Sequence, residues 1–335
     1  MDLKISLSAV KNKRILLSPL NWGLGHVMRC IPLIDKLLEN ENEVIICCDQ
    51  QQEDAFRDFF PELWYVPHSG YPFAFKGNGN WEADLIRSFR KLNSRLKEEV
   101  IEVERFVSIF KPDYIISDQR YGFRSAKVQS IFITHQLNLP VSGIFTTAQW
   151  INRFLIKKFN SVFVYDSLSA PLAGRLSAGS KEYTRLGVLS RFKPGKQQNY
   201  KFKFTAIVSG PKPYSELFFD EVKEKFKSLS VPCVIISNTE QAKASFRTLK
   251  NCTVLVNPSF EEMQNVLQET DYILSRAGYT TLMDLTVLDK KALLVPTKGQ
   301  KEQLYLTAYH KNHPKWTFVS EDDFIALNLS EFEGK

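Results

Sequence analysis

Short runs of β-branched and aliphatic residues alternate along this chain with longer stretches whose apolar positions recur every three or four residues. Arg14-Ile15-Leu16-Leu17-Ser18 is the first short run, closed by Pro19. Beyond it Val27, Ile31, Ile34 and Leu38 keep the period of one helix face. Glu43–Cys48 reads as a second strand. Leu85, Phe89, Leu92, Leu96, Val100, Val103, Phe106 and Phe110 form a stripe that predicts a long helix over Trp81–Phe110. Asp113–Ser117, Ser130–Thr134 and Ser161–Tyr165 read as further strands.

A second series begins near Phe202. Its strands are expected at Phe204–Ser209, Pro232–Ser237, Cys252–Val256, Tyr272–Ser275 and Lys291–Val295. Helical patterns lie around Tyr214–Phe226, Gln241–Leu249, Phe260–Leu267, Thr280–Leu288 and Glu302–Asn312. Two such βα series predict an α/β fold with two Rossmann-like, doubly wound, mostly parallel sheets. Between them residues 166–201, rich in Ser, Gly, Pro and Lys, read as a linker and domain edge, with Lys193–Asn199 as the hinge. The expected domains are therefore residues 1–165 and 202–335.

Composition adds exclusions. The chain has 335 residues, 44% hydrophobic and 24% charged, enough for a sizeable core without disulfide or metal staples. Its net charge of +7 is spread evenly, with 21 basic against 18 acidic residues through Tyr165 and 23 against 19 beyond. No basic arm of the nucleic-acid-binding kind is present; an anionic ligand or membrane face is favoured. The five cysteines lack C-x-x-C spacing, which fits free thiols in a reducing cytoplasm. No signal peptide is expected behind Met1-Asp2-Leu3-Lys4. The uncharged stretch Val128–Asn152 is too polar for a transmembrane helix.

In parallel sheets ligands gather at the carboxyl ends of strands. Asn21-Trp22-Gly23-Leu24-Gly25-His26 follows the first strand and runs into a helix, with Gly23 and Gly25 allowing close backbone approach. Asp118 and His135 end two further strands of this half. His26, with a reference pKa near 6.5, is the candidate general base, and Asp118 its orienting partner. The alternative is that both merely cap backbone groups, and His135 reads as a structural hydrogen-bonding residue. In the second half Ser275-Arg276-Ala277-Gly278-Tyr279-Thr280-Thr281 links a strand to a helix. Gly278 is expected to permit a tight turn, and the helix terminus to hold an anion. Thr280 and Thr281 offer hydroxyls; Arg276 offers charge to phosphate or pairs with a structural carboxylate. Asp284 could hold ribose hydroxyls or face solvent. Ser209 and Gly210 offer amides to a pyrophosphate, and Gln300, Glu302 and Gln303 offer sugar-binding groups.

These motifs together resemble a GT-B glycosyltransferase, close to the MurG-like glycosyltransferase family 28. The resemblance rests on Gly23-Leu24-Gly25-His26, Ile116-Ser117-Asp118, Gly187-Val188-Leu189-Ser190-Arg191-Phe192, Ser275 through Asp284 and Pro296 through Gln303. It implies two domains facing a cleft, the first handling the acceptor and the second a nucleotide sugar. Asp284 is then a ribose ligand, Glu302 and Gln303 sugar contacts, and His26 a base or phosphate contact. Trp22 stands where the family carries more glycine, which suggests a different acceptor, so peptidoglycan specificity is not carried over. The chain also looks short after Phe318 for the family's C-terminal helix.

The leading expectation is a hexosyltransferase that moves a sugar from a nucleoside diphosphate sugar, UDP-GlcNAc or similar, to an acceptor hydroxyl with inversion. No cofactor is expected beyond the nucleotide sugar as co-substrate. No metal is expected, because no D-x-D motif occurs. Helix amides would stabilise the departing diphosphate. The acceptor is unassigned, with a lipid-linked molecule or a glycan as candidates. A nucleotide-sugar epimerase of the same fold and a non-catalytic nucleotide-sugar-binding subunit are the alternatives. The expected location is cytoplasmic, with Arg153–Lys158 as the candidate contact to the inner face of the cell membrane and a solvated helix face as its alternative.

Overall fold

A computed structural model describes residues 7–72, 76, 79, 81–140, 146–195, 200–244 and 250–332. The chain divides into two compact units, one of Met1–Ala74 and Glu82–Arg191, the other of Phe75–Trp81 and Phe192–Lys335.

The first unit runs β1 (Arg14–Pro19), α1 (Gly25–Glu39), β2 (Glu43–Cys48), α2 (Gln50–Arg57), β3 (Trp64–Pro67), α3 (Trp81–Phe110), β4 (Tyr114–Asp118), β5 (Gln129–Thr134), α4 (Thr146–Ile156), β6 (Ser161–Val164) and β7 (Thr184–Arg185). Its seven strands are all parallel, in the order β3-β2-β1-β4-β5-β6-β7. Helices cover both faces of such a sheet, so β1 and β2 carry continuous apolar runs and are buried beyond their first residues. Leu16, Ile45, Cys47, Val103, Ile115 and Phe123 form one core cluster, and Phe132, Leu137, Ile156, Phe159, Val162 and Val164 another.

The α3 stripe is less uniform than its spacing predicts. Val103 is buried, whereas Phe89 is 57% exposed and the charged Glu99 is fully buried. Glu99 accepts from Arg120 Nε at 2.6 Å, from Tyr71 Oη at 2.5 Å and from His68 Nε2 at 3.1 Å. Burial would raise its carboxyl, but Arg120, His68 and Tyr71 together lower it to about 2. This cluster anchors the chain beside the first glycine loop: Asn21 Oδ1 accepts from the Tyr71 amide at 2.9 Å.

Residues 166–191, expected as part of a linker, lie with the first unit. The buried Asp166 carboxylate accepts from the Leu172 amide at 2.7 Å, the Ala173 amide at 2.8 Å and Ser177 Oγ at 2.6 Å. Leu172, Ala173 and Leu176 are buried there, and β7 extends the sheet. Small polar residues wrap one carboxylate here, and that explains why the composition looked like a linker. Of the expected hinge, residues 196–199 lie outside the described residues; Lys193 packs on the second unit, its amide donating to Gln264 Oε1 at 3.1 Å.

The second unit runs β8 (Phe202–Val208), α5 (Tyr214–Lys227), β9 (Cys233–Ser237), α6 (Glu240–Ala244), β10 (Cys252–Val256), α7 (Phe260–Gln268), β11 (Thr270–Ser275), α8 (Tyr279–Leu288), β12 (Lys291–Leu294), α9 (Lys301–Tyr309), β13 (Trp316–Phe318) and α10 (Glu321–Ala326). The last part of the helix expected at Gln241–Leu249 lies outside the described residues. Six parallel strands take the order β10-β9-β8-β11-β12-β13. Phe204, Phe218, Phe219, Phe226, Ile235, Leu274 and Phe324 fill its core. Each buried aromatic contributes about 1.5–3 kcal/mol relative to exposure. The segment after Phe318 therefore holds a short helix that packs on this unit, through Phe324.

Both sheets share one winding. In each, the chain goes outward from the first strand on one side, returns, and continues outward on the other. The reversal falls between β1 and β4 in the first unit and between β8 and β11 in the second, the positions where open α/β sheets bind ligands.

Candidate functional site

The first reversal point carries a polar cluster built from three elements. Pro19 at the end of β1 pairs in register with Asp118 at the end of β4, so the loop that enters α1 meets the Asp118 carboxylate. His26 stands in the first turn of α1, and its Nδ1 lies 2.7 Å from Asp118 Oδ2. Asp118 is fully buried, and the His26 side chain is 13% exposed. The expected pairing of His26 with Asp118 is thus present.

A third member was not foreseen. Arg29, one turn along α1, binds Asp118 with Nε (3.0 Å to Oδ2) and Nη2 (2.7 Å to Oδ1). Its Nη1 lies 3.2 Å from His135 Nδ1, and its Nη2 is 2.5 Å from His26 Nδ1. The guanidinium is 3% exposed and sits 5.3 Å from the centre of the Tyr165 ring. In the sequence Arg29 looks like any basic helix residue; the signal was its place three residues after His26, on the same helix face.

Electrostatics correct the simple base picture. Burial lowers His26 from 6.5 to about 4, Arg29 adds to the fall, and Asp118 opposes it. Burial alone would raise the Asp118 carboxyl, but Arg29 and His26 outweigh it and hold it below the ordinary carboxylate range. His26 is therefore neutral throughout the neutral pH range, with a lone pair available but weakly basic. Of the two glycines expected among the donor-binding residues, Gly23 lies in the first-unit loop before α1 and Gly25 opens that helix. Gly23 has φ +104°, which only glycine adopts easily, and a side chain there would meet open space.

The second reversal point gathers the loops expected to bind the donor. Ser209 and Gly210 follow β8, both exposed, with Gly210 at φ +122° and open space before it. Ser275 ends β11, and its hydroxyl donates to the Ile207 carbonyl of β8 at 3.2 Å, tying the two central strands together. Gly278 is the N-cap of α8 with φ −77°, ψ 149°, a conformation open to any residue. The tight turn expected there is absent, and glycine instead keeps the space before the helix clear: the nearest atom to an added Cβ is Thr281 Oγ1 at 3.9 Å. Thr280, Thr281 and Asp284 follow in the first turns of α8, each half-buried, at spacings that place them on one side of it.

Arg276 resolves the choice left open by the sequence. Its guanidinium pairs with Glu321 of α10 at 2.5 Å and lies 4.0 Å from the centre of the Phe218 ring, 6% exposed. It is engaged by a structural carboxylate, one of the two roles the sequence left open. The other Glu321 oxygen accepts from the Lys298 amide at 3.2 Å, so this carboxylate joins the loop after β11 to the loop after β12.

That second loop is internally bonded. Gln300 caps α9, its Oε1 accepting from the Gln303 amide at 2.5 Å, and Gln303 Oε1 accepts from the Thr297 amide at 2.8 Å. Glu302 Oε2 lies 3.5 Å from Gln300 Nε2. These contacts shape the loop that enters α9. Among the described residues no group of three or more His, Cys, Asp or Glu stands ready to hold a metal ion.

Residues 215–315 match the glycosyltransferase family 28 C-terminal domain, from α5 to the start of β13. Over 333 aligned residues the chain is 24% identical to the UDP-N-acetylglucosamine–N-acetylmuramyl-(pentapeptide) pyrophosphoryl-undecaprenol N-acetylglucosamine transferase of Halalkalibacterium halodurans, covering 92% of this chain and 85% of that protein. The Bacillus anthracis transferase 1 of the same name is 22% identical over 253 residues, covering 70% and 67%. In structure the chain resembles Acinetobacter baumannii MurG (TM-score 0.54, 15% identity, 96% of this chain and 88% of that one). It also resembles the spinosyn rhamnosyltransferase SpnG complexed with thymidine diphosphate (TM-score 0.65, 13% identity, 96% and 92%). With two parallel α/β units and these relatives, the protein is a glycosyltransferase of the GT-B type. Within that type it resembles the MurG-like enzymes of family 28.

Proposed function

We propose that the protein transfers a sugar from a nucleoside diphosphate sugar, UDP-GlcNAc or a close analogue, to an acceptor hydroxyl, with inversion at the anomeric carbon and without a metal. The observation that carries this reading is the contact of His26 with Asp118 at the ligand-binding end of its sheet. In the reaction His26 takes the acceptor proton at Nε2 while the acceptor oxygen attacks the anomeric carbon. Ser209, Gly210, Ser275, Gly278, Thr280 and Thr281 receive the departing diphosphate, and helix amides stabilise its charge. Asp284 holds the ribose, and Gln300, Glu302 and Gln303 read the sugar. Trp22, on a loop pinned through Asn21 and Tyr71, faces the choice of acceptor. A lipid-linked molecule or a glycan is the acceptor class proposed.

The proposal extends to location. Among the described residues no helix is long and apolar enough to cross a membrane. Trp150, Ile151 and Phe154 of α4 are 75%, 48% and 62% exposed, followed by Lys157 and Lys158. No acidic residue occurs between Asp118 and Asp166. Such a face suits the anionic inner surface of the cell membrane.

Thermal-shift measurements with UDP, GDP and dTDP sugars test the donor class. A nucleotide at a hundred times its dissociation constant stabilises the protein by about 2.7 kcal/mol, and no response to any of them would overturn the reading. His26→Ala is expected to abolish transfer while the thermal response to the nucleotide sugar remains; unchanged turnover would remove His26 as base. Incubation with UDP-GlcNAc alone separates transfer from epimerisation, which consumes donor without acceptor.

A further inference from the structure

We propose that Glu99 is a positioning residue of the first-unit site: its buried carboxylate ties the segment after β3 to the loop after β4, and that segment in turn fixes Asn21 and the loop that carries Trp22. Its role toward the acceptor rests on the transfer proposed above; its hold on the loop does not.

Glu99 stands within α3, and both it and its partner Arg120 are fully buried. Replacing such a pair by apolar residues of similar volume is often neutral or stabilising, so stability alone is a weak reason for keeping it. What an apolar pair lacks is directed acceptors, of which a carboxylate offers about four. Oε1 accepts from Arg120 Nε at 2.6 Å and lies 3.1 Å from His68 Nε2, while Oε2 accepts from Tyr71 Oη at 2.5 Å.

These partners belong to two different loops at the carboxyl edge of the sheet. Arg120 follows β4, and its Nη2 donates to the Ser69 carbonyl at 2.7 Å, beside Arg95 Nη2 at 2.8 Å. Tyr71 follows β3; its hydroxyl gives its proton to Glu99 and accepts from the Gly122 amide of the β4 loop at 3.2 Å. Gly122 leaves no room for a side chain, because an added Cβ would stand 2.5 Å from Glu99 Oε2 and 2.6 Å from the Leu96 carbonyl oxygen. The Arg120 guanidinium also lies 5.2 Å from the centre of the Tyr71 ring. The segment after β3 is thus held at a carbonyl, a ring and a hydroxyl.

The backbone of the same segment meets the first glycine loop. The Tyr71 amide donates to Asn21 Oδ1 at 2.9 Å, and Asn21 Nδ2 donates to the Tyr71 carbonyl at 3.4 Å, so one residue's main chain grips the Asn21 amide from both sides. Gly70 permits the close approach: a Cβ there would lie 2.0 Å from Asn21 Nδ2. Gln52 of α2 holds the start of the loop, its Nε2 donating to the Leu20 carbonyl at 3.1 Å. Trp22 and Gly23 come next, before α1 begins at Gly25. The setting of Asn21 therefore passes directly to Trp22, and Glu99 governs it through Tyr71 from inside the core.

The test reads Trp22 directly and needs no nucleotide or acceptor, so it fails or succeeds independently of the proposed transfer. The full chain is labelled with fluorotryptophan, the fluorine signals of its five tryptophans are recorded, and Trp22 is assigned by its loss in Trp22→Phe. Tyr71→Phe, which deletes the hydroxyl and keeps the ring, should shift or split the Trp22 signal while circular dichroism stays unaltered. Glu99→Gln should do the same, and Tyr71→Phe decides the matter if the glutamine variant does not fold. Gly70→Ala should move the signal by pressing on Asn21. In an Asn21→Ala background neither Tyr71→Phe nor Gly70→Ala should move it further, because the link is already cut. An unmoved Trp22 signal in folded Tyr71→Phe, or an equal shift with and without Asn21, would overturn the proposal. Once an acceptor is identified, Tyr71→Phe should lower kcat/KM for it by about a hundredfold and leave the KM of the nucleotide sugar unchanged; an equal loss toward both substrates would count against positioning.

Discussion

Replacing His26 with glutamine removes an imidazole that the fold holds neutral, and the pH dependence of stability should change with it. In the unfolded chain the imidazole takes a proton near pH 6.5; in the folded protein it resists until about 4. Between those values the unfolded state binds more protons, so stability rises with pH across the window. It is complete above 6.5 and is lost progressively as the pH falls toward 4. The full difference is about 3 kcal/mol at 1.36 kcal/mol per unit, of which about 2 kcal/mol is already lost at pH 5. Urea unfolding of the two proteins at matched pH values between 4.5 and 7.5 measures the effect. The transition that His26→Gln shifts at pH 7 identifies the unfolding of the first unit. From pH 7.5 to pH 5 the unaltered protein should lose about 2 kcal/mol more than the variant in that transition. Groups shared by both proteins cancel in the comparison. Parallel pH profiles would refute the reasoning, because they would mean that folding does not depress the imidazole.

Three other outcomes follow from contacts in the structure. Glu321→Ala strips the buried Arg276 of its partner and should cost the second unit about 3 kcal/mol in chemical unfolding, with weaker nucleotide-sugar binding because two loops lose their common carboxylate. Gly210→Ala puts a side chain at φ +122° with no clash, so pure backbone strain of about 1–3 kcal/mol should appear in the same assay. Vesicles rich in anionic phospholipid should co-sediment the protein at low salt and release it at moderate salt, and Trp150→Ser with Phe154→Ser should abolish that binding; salt-insensitive binding would argue against the basic face.

The central strands were legible in the sequence because strands buried on both faces need uninterrupted apolar runs, as in Ile15-Leu16-Leu17 or Val234-Ile235-Ile236. The short outer strands were not: β7 has two residues and β13 three, too few to show a period. Residues 166–191 were misread because Asp166 organises them through backbone amides, and amides leave no trace in composition. The contact of His26 with Asp118 followed from the rule that loops meet at strand ends. Arg29 did not follow, because it stands inside α1 and not at a strand end, and its local sequence does not mark it off from other basic helix residues. Arg276 shows the same limit, its carboxylate lying on α10, a helix the periodicity did not reveal.

The shared winding of the two sheets bears on how such an enzyme can change its chemistry. In each unit the ligand-facing loops spring from the ends of strands whose bodies are locked between parallel neighbours. Residues beyond Pro19 and Val208 can therefore vary while the strands beneath them keep their pairing. Recognition is written at the rims and folding in the interior. On the proposed function, a new acceptor would be explored around Trp22, and a new sugar around Gln300, by separate sets of substitutions. Exchanging one unit's rim loops between related chains is thus a practical route to enzymes that join new pairs of molecules.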